Sequence, residues 1–186
     1  MGGQPRVSQG LTQVSSKGAG TVSGGSSEPP DADTRGRTFL CVVDETQELH
    51  QALRYACRRA RHTKGRVALL YVIEPVEFQH WMAVGHLMAE ERREQAEEML
   101  QVVSSVVQKL SGTTPVVYIR EGKVIDQLEQ LLSTEKALSI LVLGAAAGSE
   151  QPGRIVGHVM KRLGKLSIPV TIVPGSLSDS EIDAIS

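Results

Sequence analysis

Neither sign of charge is in excess: 20 Lys and Arg stand against 21 Asp and Glu, for a formal net charge of -1. Holding nucleic acid or an anionic membrane by electrostatics needs a clustered surplus of Lys and Arg, so neither is an expected partner. No apolar run approaches the roughly 18 residues that a bilayer-spanning helix requires. The N-terminus lacks a charged stretch followed by an apolar one, and Arg6 stands where myristoylation wants Ser or Thr. The expectation is a soluble, cytoplasmic protein.

Several chemistries are missing as well. The two cysteines, Cys41 and Cys57, form no Cys-x-x-Cys pair and no Cys/His metal spacing, which leaves them a packing role. His80 and His86 are six apart and do not share a helical face, so no metal site is expected. No Ser or Cys has a credible His beside it as base. A Gly-Lys-Ser/Thr phosphate loop is absent, and the turn Asp44-Glu-Thr-Gln is not the glycine-rich turn of a dinucleotide site. No catalytic residue is assigned, and slow ATP hydrolysis is left without a positioned water or charge stabiliser.

What is present is an alternation of two periods. Residues 1–35 are rich in Gly, Ser, Thr, Gln and Pro. They hold too little apolar surface to offset the entropy of ordering, so they read as a disordered arm. From Thr38-Phe-Leu-Cys-Val-Val43 onward, apolar runs of strand length alternate with apolar residues at helical spacing. Leu49, Ala52, Leu53, Ala56, Cys57 and Ala60 line one helix, and Val67–Ile73 gives the second strand. Ala96, Met99, Leu100, Val103, Val107 and Leu110 line a long helix, with Glu and Arg from 90 to 98 solvating its other side. Strands at 115–119, 140–143 and 167–173 follow, the last placed at an edge because Pro169 has no N–H to give a ladder. Residues 175–186 read as a short polar tail with Ile182 and Ile185 as docking points. Five strands alternating with helices, several apolar on both faces, specify an open five-stranded parallel α/β sheet with helices on both faces.

In such sheets ligands sit beyond the carboxyl ends of the strands, where strand order reverses. Asp44 ends the first strand, Val72 lies near the end of the second, and Gly144 directly follows the fourth. A carboxylate suits ribose hydroxyls and an apolar wall suits a base. The small-residue loop Gly144-Ala-Ala-Ala-Gly148, followed by a helix, either cradles phosphate with its amides or simply reverses the chain.

These residues, taken in order, resemble the universal stress protein family. The likeness rests on Val42-Val43-Asp44, Ala-Leu-Leu-Tyr-Val-Ile-Glu74, Tyr-Ile-Arg-Glu-Gly122, Leu143-Gly144 and Ile-Pro-Val-Thr-Ile-Val173, across about residues 37 to 174. It implies a Rossmann-like domain at 36–174, related to the adenine nucleotide alpha hydrolases. It also implies ATP or another adenine nucleotide, with Mg, held by Val42, Asp44, Val72, Leu143, Gly144, Ala147, Gly148, Gly157, His158 and Val159. The nucleotide-binding branch has Gly, two residues, Gly, nine residues, then Gly and Ser or Thr. Here those points are Gly144, Ala147, Gly157 and His158, so two of the four depart. Gly148 follows one residue late, and Gly153 and Arg154 add an amide and a charge. His158, read as a helix-start residue, loses its charged form to the dipole but as neutral imidazole still donates one hydrogen bond.

The resemblance further implies a homodimer paired through Ile168–Val173, an uncharged edge of the kind that invites strand pairing. Aromatics are only 3% of the chain, yet Phe78 and Trp81 stand within four residues. They form either a surface for a protein partner or a pin between helix and sheet. Two functions remain open: a stress-response module with a degenerate adenine nucleotide site, or a nucleotide-free dimeric scaffold that binds protein partners.

Overall fold

The computed structural model describes residues 36–75, 82–148 and 152–186, for 82–89 the backbone only. The N-terminal arm and the Phe78–Trp81 patch lie outside the described residues. Chain order is β1 (Thr38–Val43), α1 (Leu49–His62), β2 (Arg66–Ile73), α2 (Met82–Ser111), β3 (Val116–Glu121), α3 (Val124–Thr134), β4 (Ile140–Ala145), α4 (Arg154–Lys161), β5 (Val170–Pro174) and α5 (Asp179–Ile185). The five strands form one sheet in the order β3-β2-β1-β4-β5, every neighbouring pair parallel. Among the described residues no helix is long and apolar enough to cross a membrane.

The two-residue side-chain period explains why the strands are apolar throughout. From β1, Phe39, Cys41 and Val43 enter one core with Val67 and Leu69 of β2 and Val142 of β4. The intervening Leu40 and Val42 enter a second core with Ala68, Leu70, Val72, Leu141 and Leu143. Helix α1 covers the first core with Ala52, Ala56, Cys57 and Ala60, small side chains that let it lie close to the sheet, and α2 adds Leu100, Val103 and Val107. Helices α3 and α4 cover the second through Leu128, Leu131, Leu132, Val156 and Val159. Cys41 and Cys57 are both free and fully buried. Burial raises both thiols, Cys57 to about 12, so neither is a nucleophile.

Three local outcomes refine the sequence reading. Strand β5 begins at Val170, after Pro169, and lies at the sheet edge; the Pro169 carbonyl accepts from the Leu141 N–H at 2.9 Å. Gly144 lies within β4 instead of after it, paired with Val173, because the ladder to β5 extends to Ala145 and Pro174. Residues 179–185, read as polar tail, form a helix that docks through fully buried Ile182, while Ile185 stays 60% exposed.

Candidate functional site

Leaving β1, the chain builds outward through β2 and β3, then returns to add β4 on the other side of β1. The loops after β1 and β4 therefore diverge and leave a crevice at their carboxyl ends. A cavity of about 250 Å³ occupies it. Val42, Leu143, Ile155 and Val156 supply apolar wall; Asp44, Thr46, Glu48 and Arg154 supply polar groups.

Asp44 is fixed by its own loop. Its Oδ1 accepts from the Thr46 N–H at 3.2 Å and from the Thr46 hydroxyl at 2.6 Å, an Asx turn that orients the carboxylate at the cavity. Gly144 is required by packing: a Cβ there would overlap the Glu48 carbonyl oxygen, where α1 starts against the end of β4. Gly153, with φ of 94°, precedes α4 in a backbone conformation that L side chains rarely adopt. The neighbouring Arg154 donates from Nη2 to Glu74 Oε1 at 3.0 Å, and the same oxygen accepts from the Val124 N–H at the start of α3 at 3.1 Å. The hydrogen bond from the Val124 amide, helped by the Arg154 pair, holds the Glu74 carboxyl below the ordinary carboxylate range against the opposing desolvation.

Of the residues expected at a nucleotide site, the structure gathers Val42, Asp44, Leu143 and Gly144 around the cavity. Val72 is buried at the carboxyl end of β2, in the same core as Val42. Ala147 and Gly148 lie in the loop after β4, Gly148 with φ of 68°. Gly157 has open space where a Cβ would stand, and Val159 is a core residue. His158 sits in the second turn of α4 and faces α3, with Nε2 2.9 Å from Glu129 Oε1; Arg162 donates to both oxygens of the same carboxylate. Those two partners lower the Glu129 carboxyl, His158 contributing most. Thr46, Glu48 and Val124 were not among the expected lining residues. Thr46 and Glu48 had a signal, since both follow Asp44 in the loop that any parallel sheet places at this mouth. Among the described residues no cluster of three His, Cys, Asp or Glu side chains is arranged to hold a metal ion.

No curated protein matches the sequence. Solved structures do share the fold. The universal stress protein UspA from Lactobacillus plantarum is 19% identical, with TM-score 0.60, over 75% of this chain and 98% of its own. A universal stress protein from Archaeoglobus fulgidus in complex with dAMP is 18% identical, with TM-score 0.53, over 74% and 97%. A further universal stress protein, in complex with cAMP, is 14% identical, with TM-score 0.56, over 76% and 99%. The model of the universal stress protein family matches residues 36–174. That range runs from the approach to β1 to the last residue of β5, so the match covers the whole sheet and both its cores, and the chain belongs to the universal stress protein family.

Proposed function

We propose that this chain is a non-catalytic, cytoplasmic stress-response module that binds an adenine nucleotide where β1 and β4 diverge, and that it works as a homodimer through β5. The observation that carries the reading is the cavity at the strand-order reversal, with the oriented Asp44 carboxylate beside the apolar side chains of Val42 and Leu143. Ribose hydroxyls donate to a carboxylate, and an apolar wall accepts the face of a base. The dAMP and cAMP bound by two family members support the adenine class. In this reading the phosphate end lies toward Gly153 and Arg154, and Mg, if it accompanies ATP, arrives with the phosphates. The test is calorimetric titration of dialysed protein with ATP, with and without Mg, and with cAMP, after release of any co-purified nucleotide. Saturable one-to-one binding is expected, weakened about tenfold or more in Asp44→Ala by loss of a charge-assisted hydrogen bond.

A nucleotide-free dimeric scaffold is the second reading. It is favoured by the engagement of two side chains that the phosphate reading would use, Arg154 with Glu74 and His158 with Glu129. Flat titrations together with loss of partner capture on Trp81→Ala would select it.

A further inference from the structure

Among the described residues Arg154 is the only basic one that lines the cavity, and its guanidinium is paired with Glu74. Glu74 is held in turn from the opposite rim by the amide of Val124, itself a lining residue, so the carboxylate bridges β2, α3 and α4 at the mouth. Asp44 and Glu48 line the same cavity. Two carboxylates thus line the cavity, and a third is paired with its one described guanidinium. A triphosphate entering this space meets the repulsion of these carboxylates and competes with Glu74 for the charge of Arg154, one Nη2 donor of which is already engaged. A neutral nucleoside meets neither cost, and its hydroxyls are donors that suit carboxylates. At about 250 Å³ the cavity also falls below the roughly 300–1,000 Å³ usual for ligand sites.

Resting on the nucleotide reading above, we propose that Glu74 is a built-in competitor for the ligand's phosphate, so that the site takes an adenine nucleoside or monophosphate in preference to the triphosphate. Glu74 is here a specificity-determining residue that acts through Arg154. Its carboxylate offsets the charge of the guanidinium that a terminal phosphate would seek, and a ligand with little negative charge leaves the bridge undisturbed.

The experiment is calorimetric titration of the full chain with adenosine, AMP and ATP, on wild type, Glu74→Gln and Glu74→Gln/Arg154→Gln. In wild type, affinity is expected to fall as phosphates are added. Glu74→Gln keeps an oxygen for the Val124 amide and so preserves the helix start. It should raise ATP affinity about fivefold, the scale of an exposed ion pair, and leave adenosine unchanged. The double variant should lose that gain, since no guanidinium remains to be freed. An independent readout is the Arg154 Nε resonance, expected to shift on Glu74→Gln in the ligand-free protein and on addition of ATP, but not of adenosine. Wild-type affinity that rises with phosphate number overturns the proposal, as does an equal effect of Glu74→Gln on all three ligands, and either leaves the nucleotide reading standing. No binding of any ligand to any variant overturns both.

Discussion

At Gly144 the absence of a side chain is demanded by the first turn of α1, because a Cβ would run into the carbonyl oxygen of Glu48 and crowd its Cβ. The same oxygen accepts from the Ala52 N–H at 3.2 Å, so it cannot retreat without loosening the helix start. Gly144→Ala should therefore lower stability by about 1–3 kcal/mol, the usual cost of overpacking a close contact, measured by urea unfolding. An unchanged midpoint would mean that α1 shifts freely. The glycine was conspicuous in the sequence as part of a phosphate pattern, whereas the contact that requires it lies on a segment 96 positions earlier and left no local mark. His158 teaches a related lesson. Its place in the family pattern pointed to phosphate, but the helix begins at Arg154, and one turn of rotation carries the imidazole to Glu129 on α3.

Helix α5 was invisible as an element because seven residues fall below the length at which a helix stands alone. Its signal was nonetheless present: Ser178 and Glu181 form a capping box, the Ser178 Oγ accepting from the Glu181 N–H and the Glu181 Oε2 accepting from the Ser178 N–H. Besides the buried Ile182, it is held by a stripe on α1 spaced by four, His50, Arg54, Arg58 and His62. His50 and Arg54 meet Asp179, Arg54 and Arg58 share Asp183, and His62 lies 2.9 Å from the Ser186 backbone oxygen. Hydrogen bonds from Arg54, then Arg58, hold the Asp183 carboxyl far below the ordinary range. A carboxyl depressed in the folded state stabilises above its unfolded pKa of about 3.9, and the gain fades as pH falls through the folded value. Asp183→Asn should accordingly speed amide exchange in α5 at neutral pH, with the difference from wild type narrowing below about pH 4. A deficit that persists unchanged in acid would exclude the ion pairs as its cause.

For the whole molecule, the decisive feature is how the sheet ends. Strand β3 forms one edge and β5 the other, and β5 offers a ladder bounded by Pro169 and Pro174, neither of which can donate. Ile172 is 36% exposed on that edge. If the proposed homodimer forms here, Ile172→Lys should convert it to monomer, since charge on an edge strand blocks pairing. Light scattering coupled to size exclusion reads the outcome, and a dimer that survives the substitution places the interface elsewhere. Helix α5 lies beyond the range matched by the family model and packs on α1, adding to the first face of the sheet a layer that the match does not include.

The sequence by itself determined the five strands, the helices between them and their burial, though not α5. The two-residue and helical periods of apolar residues are properties of neighbours in the chain, and a strand apolar on both faces must be covered on both. Pro169 even identified the edge strand. The tertiary structure alone decided which ends meet. Strand order put β1 beside β4 and opened the cavity, and register brought Glu74 to Arg154, 80 positions away, and His158 to Glu129, 29 positions away. Pairings of this kind depend on how helices cross the sheet and how far each has turned when it arrives. A local pattern of polar residues carries neither quantity, so the charges around the candidate site were fixed only by the packing of elements distant in sequence.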